Sequence, residues 1–325
     1  MENLKLTICS VCHSEENRKL LELNHALASK LNQEKNWIWM VADNTPEGRL
    51  AEVMDPLKFK VVPGLTMEKL VSSLDPAFSH MKAGFHHSTA VHGMISHVKT
   101  RFFLLLDSDL YIVRPGWINE VLGHMEKERL VAFDVPWHPR WYKKPRYLPA
   151  THSIFVDSQK LKLSELNFFP QLPSPRQAGM LKSLPLPAGL KNIFLGRTQI
   201  GVSRDMGFII GEKLQKEGLK YECVLPVFRP KASVLNFLLP DRFSYLPKKR
   251  GSYTKTSFGD LEYPDFALKN GAEEFMWQGR PFCFHLRGHK TNLGRGGTSF
   301  DNQISELKQV LEKFLECNQK AGAKL

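Results

Sequence analysis

Two aspartates, Asp107 and Asp109, stand two residues apart directly behind the apolar run Phe102 to Leu106. In extended backbone, residues i and i+2 point the same way, so both carboxylates can face one ligand. Two anions delivered by an apolar strand repel each other unless a cation sits between them. Hard divalent ions take oxygen ligands and bridge to substrate phosphates, which makes the pair a candidate metal site. Open α/β sheets bind their ligands where strands end, and this pair lies at such an end. The plain alternative is a helix-capping Asp beside an ordinary exposed acid ahead of Pro115; for an isolated Asp-x-Asp it would come first, and here the position favours metal.

Further candidates lie downstream. The stretch from His285 to Gly297 holds four glycines with Arg287, Lys290 and Arg295, so backbone amides and positive charge can together meet an anion. It reads as a loop over a diphosphate, although a solvated surface loop has equal weight, and the phosphate-loop spacing GxxxxGK[ST] is absent. Five of the twelve histidines (His80, His86, His87, His92 and His97) crowd one helical stretch. None of them is three or four residues from another, so no pair meets on a helix face, and packing or one contact to a phosphate explains them better than a zinc site. The segment Trp137 to Tyr147 interleaves aromatic and basic residues. Such a surface can stack nucleobases, yet it suits sugar rings or an anionic acceptor equally. Cys9 and Cys12 form a CxxC with no second pair, and five cysteines without framework spacing predict reduced thiols rather than disulfides or zinc.

Hydrophobic patterning supplies the elements that must position these groups. Residues 5–11, 36–42, 58–62, 101–107 and 130–134 read as strands, separated by helical stretches near 15–31 and 77–98. Ser14 with Glu15 and Glu16 marks a helix start, and Pro115 suits the first turn of another helix. Alternating β and α elements predict an α/β sheet, and the unbroken apolar run before Asp107 predicts a strand buried on both faces. Eight of the twenty prolines fall between Pro139 and Pro187, predicting a loop-rich middle with short elements such as Ser153 to Val156. A helix over 204–218, a strand over 221–228 and a final amphipathic helix carrying Ile304, Leu307, Leu311 and Phe314 complete the reading.

The 325 residues carry 45 basic against 33 acidic side chains, a net charge of +12, which points to an anionic partner without choosing among nucleotide, phosphosugar, lipid headgroup or nucleic acid. Ordinary composition excludes disordered, collagen-like and coiled-coil classes. No apolar stretch nears the roughly 20 residues that span a bilayer, and the N-terminal residues lack a signal-peptide pattern, so the expectation is a soluble, cytoplasmic protein.

Asp107-Ser108-Asp109 behind its apolar strand resembles the DxD motif of glycosyltransferases of the GT-A fold. Three further segments resemble family 2-type members in order and spacing: Ile38 to Asn44, Ser203 to Gly207, and Phe282 to Leu286. The resemblance implies a GT-A fold, a Rossmann-like, mixed and mainly parallel sheet flanked by helices with a Pro-rich acceptor-side insert. It further implies a single domain: residues 1–135 bind the donor, 136–299 bind the acceptor, and 300–325 form a C-terminal helix. The implied activity is sugar transfer from a nucleoside diphosphate sugar to the hydroxyl of a saccharide, lipid-linked or other acceptor, with inversion. By this resemblance Asp107, Asp109 and His285 hold Mn²⁺ or Mg²⁺, and Asp205 takes the acceptor proton. Ser10, Asp43, Ser108, Arg287 and Lys290 would contact the nucleotide, Asp43 through its base. Two departures stand out: Ala42 occupies a position where many members have Asp, and the acidic pair common near the base is Arg204-Asp205 here.

The chemistry agrees with these assignments. A diphosphate leaves readily only when a cation neutralises it, and a carboxylate at hydrogen-bond distance can accept the acceptor's proton. Imidazole beside carboxylates suits Mn²⁺. A nucleotidyltransferase is a rival, but it would place a Gly-rich basic loop after the first strand, and residues 10–17 contain no glycine. A non-catalytic nucleic-acid-binding protein is a rival from the charge alone; it has no need of Asp107 or Asp109, and no nucleic-acid partner is expected. Peripheral contact with an anionic membrane is compatible with the charge.

Overall fold

The computed structural model describes residues 4–64, 82–141, 144, 147–170, 206–229, 234, 238, 251–265, 271–286 and 300–322. Its main sheet is built from β1 (Leu6–Cys12), β2 (Trp37–Asp43), β3 (Phe59–Pro63), β4 (Phe102–Leu106), β6 (Ala132–Pro136), β7 (Pro149–Asp157) and β8 (Tyr221–Cys223). The order across it is β3-β2-β1-β4-β7-β6-β8. β1 pairs in parallel with β2 and β4, β2 with β3, and β6 with β8, while β7 runs antiparallel between β4 and β6. The sheet is therefore mixed and mainly parallel, and strands from both sides of residue 136 share it.

Helices cover both faces. On one side α1 (Glu15–Leu31), α4 (Trp117–Lys127) and α6 (Phe300–Gly322) pack into a core with Leu6, Ile8, Phe102, Leu104 and Leu106. On the other, α3 (Lys82–Ile95) and α5 (Phe208–Lys216) pack against Cys9, Phe103 and Leu105. Alternate residues of β4 thus feed opposite cores, which is why the run is apolar without interruption. Burying each such side chain contributes roughly 1.5–3 kcal/mol. The short helix α2 (Leu50–Val53) follows β2. Among the described residues no helix is long and apolar enough to cross a membrane.

A second, antiparallel sheet has the order β5-β11-β10-β9, from β5 (Leu110–Ile112), β9 (Leu225–Pro226), β10 (Glu273–Trp277) and β11 (Arg280–His285). The chain crosses from the main sheet to this one twice. One crossing is Asp107-Ser108-Asp109, between β4 and β5; the other is Val224, between β8 and β9, whose N–H donates to the Asp134 carbonyl.

Several elements differ from the sequence expectation. The strand expected over 221–228 is divided between the two sheets at Val224. The middle contains a nine-residue strand, β7, buried along its whole length, rather than short elements only. The helix after Pro115 begins at Trp117, because Gly116 adopts φ +64 and turns the chain just before it. The helix expected from residue 204 spans Phe208–Lys216, and Gly207 at φ +78 caps it; a Cβ there would lie 2.7 Å from Thr151 Cγ2. Residues 171–205, which include four of the eight prolines of the expected Pro-rich stretch, lie outside the described residues.

Candidate metal and donor site

The crossing between sheets builds the site. β4 ends at Leu106, and the Asp107 N–H donates to the His152 carbonyl of β7 at 2.9 Å, so the chain is still held by the main sheet there. Two residues later the Asp109 carbonyl accepts from Leu286 N–H at 2.9 Å, and the chain has joined the small sheet. In that sheet Leu110 pairs with His285, which sets the His285 ring beside Asp109. Its Nε2 lies 3.1 Å from Asp109 Oδ1. One ligand atom from each of Asp107, Asp109 and His285 falls within 4.8 Å of the others. The two carboxylates keep 29% and 15% of their side-chain surface exposed, while the imidazole keeps 3%, so solvent reaches the group from the carboxylate side. This donor set fits a divalent ion of the Mn²⁺ or Mg²⁺ type. Behind the metal face, the His152 ring stacks on His285 with centroids 4.8 Å apart.

The other expected site residues are placed variously. Ser108 accepts a 3.1 Å hydrogen bond from Asn17 Nδ2, which ties the crossing to α1. Asp43 ends β2, and its carboxylate accepts from Thr45 N–H, Thr45 Oγ1 and Leu50 N–H, so it orders the loop behind it. Ser10 lies deeper than the others. It is fully buried within β1, its hydroxyl donating to the Leu106 carbonyl at 2.6 Å and accepting from Trp39 Nε1 at 3.1 Å. Both of these hydrogen bonds lie inside the sheet. Asp205, Arg287 and Lys290 lie outside the described residues, as does the glycine-rich loop over 287–297.

Sequence reasoning missed a histidine cluster. His86 and His87 of α3 meet His13, just past β1, with ring centroids 5.4 and 5.7 Å from it. Helix periodicity gave no sign of this because the third member comes from another element. His87 Nε2 lies 3.9 Å from Asp107 Oδ1, buried and without a hydrogen-bond partner among the described residues. Burial, with neighbouring His86, pulls His13 down to about 4. Burial, with His13 and His86, pulls His87 down to about 3. Both imidazoles are therefore neutral near pH 7 and can donate without adding charge.

Within the aromatic–basic segment, His138 and Pro139 are buried. His138 Nε2 donates to the Val227 carbonyl at 2.9 Å, the Arg140 guanidinium pairs with Glu273 at 2.7 Å, and Trp141 Nε1 donates to the same Glu273 oxygen at 2.5 Å. Trp141 keeps 41% of its surface exposed. Tyr142, Lys143, Pro145 and Arg146 lie outside the described residues. All five cysteines are free, and Cys9 and Cys12 are buried in β1 as strand packing requires.

No protein-family model matches the chain. No curated protein matches it either. Among solved structures, it is similar to the mannosyltransferase PcManGT from Pyrobaculum calidifontis in complex with GDP-Man and Mn²⁺, at 12% identity and TM-score 0.35, over 55% of this chain and 51% of that one. It is similar to S. aureus TarS in complex with UDP-GlcNAc at 14% identity and TM-score 0.36, over 51% and 48% of the two chains. It is similar to mouse xyloside xylosyltransferase 1 in its apo form at 13% identity and TM-score 0.34, over 68% and 85%. The chain spans about half the length of the first two. Likenesses at this level decide nothing about chemistry, which rests on the chain's own sheet order and its Asp–Asp–His group.

Proposed function

We propose that the chain is a metal-dependent glycosyltransferase that moves a sugar from a nucleoside diphosphate sugar to an acceptor hydroxyl, with inversion. The observation that carries this reading is the convergence of Asp107, Asp109 and His285 at the crossing between the two sheets. A bound Mn²⁺ or Mg²⁺ supplies positive charge to the departing diphosphate. Asp109 and His285, at the small sheet, and Asp107, at the end of β4, would hold the ion. His13 and His87 line the adjoining wall as neutral donors suited to ribose or phosphate oxygens. Asp43 orders the loop on which the base rests, and Arg287 and Lys290 bring charge to the diphosphate. Asp205, two residues before the Gly207 cap of α5, accepts the acceptor's proton. The acceptor is a saccharide, a lipid-linked molecule or another hydroxyl compound, and the surplus of positive charge allows cytoplasmic work against an anionic membrane surface.

Thermal shift tests the reading. A screen of nucleoside diphosphates and their sugars, with and without Mn²⁺, should give one nucleotide that raises Tm only when the metal is present. Asp109→Ala should abolish that rise and the associated sugar transfer. Full turnover by Asp109→Ala, or no coupling between Mn²⁺ and any nucleotide sugar, overturns it.

A further inference from the structure

Trp141 keeps 41% of its surface exposed, although an indole is among the largest apolar groups a chain can bury. It is nevertheless fixed. Its Nε1–H donates to Glu273 Oε1 at 2.5 Å, and that carboxylate has no exposed side-chain surface. The Arg140 guanidinium lies 5.1 Å from the centre of the indole, so one face rests against a cation. Arg140 is held in turn, pairing with the same Glu273 oxygen at 2.7 Å and donating to the Gly271 carbonyl at 2.6 Å. The backbone turns tightly here as well: Trp141 N–H donates to the His138 carbonyl and Lys144 N–H to the Trp141 carbonyl, both at 2.9 Å. An exposed indole is thus anchored at its polar edge, on one face and along its backbone.

The same segment reaches the candidate metal site. Glu273 stands directly opposite His285 in the register of β10 and β11. Four residues before Trp141, the Trp137 ring packs edge-on against His152 with centroids 5.3 Å apart, and His152 stacks on His285. Lys144 Nζ lies 4.4 Å from the centre of the Trp137 ring. Two indoles of one segment, each beside a cation, are therefore tied to two neighbours of His285.

Holding the ring in place before a ligand arrives lowers the ordering cost of binding to it. An aromatic face is electron-rich and attracts the C–H groups that line one face of a sugar ring. The Arg140 cation is already paired with Glu273, which leaves stacking rather than charge as the means of recognition. Among the described residues of the segment, Trp141 is the one exposed large apolar side chain, whereas a membrane-inserting surface presents several together.

We propose that Trp141 is the stacking platform of a saccharide subsite, so that the acceptor carries a sugar ring at this position. Its place on the acceptor path rests on the function proposed above; the binding of a saccharide at Trp141 does not.

A glycan array read with the wild type, Trp141→Phe and Trp141→Ala tests this. One class of saccharide should retain the wild type. Trp141→Phe keeps an aromatic face but loses the N–H to Glu273, whereas Trp141→Ala loses both. Affinity for the retained saccharide, measured by calorimetry, should fall about tenfold or more in Trp141→Ala and less than about threefold in Trp141→Phe. Vesicles of anionic phospholipid should bind all three proteins alike. No retained saccharide, equal affinity in all three proteins, equal losses in the two variants, or vesicle binding that depends on Trp141 overturns the proposal. If a saccharide binds through Trp141 while no nucleotide raises Tm with Mn²⁺, the subsite stands and the glycosyltransferase reading falls. Should Trp141→Ala fail to fold, the indole N–H resonance of Trp141, assigned by its loss in Trp141→Phe, decides: it must shift when the saccharide is added to the wild type.

Discussion

Asp107 and Asp109 leave the same short segment yet answer to different sheets, and their substitutions should separate accordingly. Asp109 has the direct contact to His285, so Asp109→Asn should weaken Mn²⁺ binding by at least about tenfold in calorimetry, as expected when a charged oxygen ligand is lost. Ser10 makes a contrast. Ser10→Ala leaves a buried indole N–H and a carbonyl without their partner, at a cost of about 1–3 kcal/mol. Denaturant unfolding should show that loss, while nucleotide binding by the folded variant should match the wild type. Altered nucleotide affinity with unchanged stability would place Ser10 in the donor site.

Among the elements, the end of β2 is the tightest corner. Gly64 follows β3 and donates to the Asp43 carbonyl at 3.0 Å. A Cβ on Gly64 would stand 2.0 Å from Asn44 Oδ1 and 2.3 Å from the Asp43 carbonyl oxygen, distances that side-chain rotation alone cannot relieve. Asn44 Nδ2 in turn donates to the His86 carbonyl at 3.2 Å, linking the corner to α3 and the histidine cluster. Gly64→Ala should therefore destabilise the fold by about 1–3 kcal/mol, the usual cost of overpacking. It should also weaken donor binding, because the corner carries Asp43 and the start of the His13 wall. Equal donor affinity in the variant would show that this corner does not touch the donor. At the start of α1, the Ser14 hydroxyl accepts from Asn17 N–H at 3.3 Å; Ser14→Ala should cost about 1 kcal/mol in the same unfolding measurement.

For the whole molecule, buried ionisable groups set the dependence of stability on pH. Glu274, whose side chain faces away from the site beside Phe258, is pushed up to about 7 by burial, with nearby Asp265 acting in the same direction. The folded chain keeps this proton between the ordinary value of 4.5 and about 7, whereas the unfolded chain releases it. The stabilisation is therefore complete below pH 4.5 and is lost as pH rises through 7. Glu274→Gln should remove that slope and stabilise the protein at pH 8 by roughly 2–3 kcal/mol relative to its effect at pH 4. Denaturant titrations at the two pH values measure it, and a difference independent of pH refutes the assignment. His25 works on the acid side. Burial among Trp37, Trp39 and Phe59 pulls it to about 4, so its contribution is present above pH 6.5 and lost as pH falls toward 4.

That the sheet is mixed came from the family resemblance, while the residue pattern alone carried the α/β sheet, the two-sided burial of β4, the Ser14 cap and the Asp107–Asp109 pair. Each of these is written in local spacing: an unbroken apolar run, a capping side chain before two acids, and two carboxylates at i and i+2. The DxD resemblance added His285 to the ligand set, although no local pattern ties it to residues more than 170 positions away. Tertiary structure decided what depends on contacts between distant segments. The division of residues 221–228 between two sheets, the pairing of Arg140 and Trp141 with Glu273, and the meeting of His13 with His86 and His87 belong to that class. So does the burial of Ser10, whose small polar side chain within β1 is equally compatible in sequence with a ligand contact and an internal hydrogen bond. The neighbours that decided the matter, Trp39 and the Leu106 carbonyl, come from β2 and β4 and meet Ser10 only when the sheet assembles.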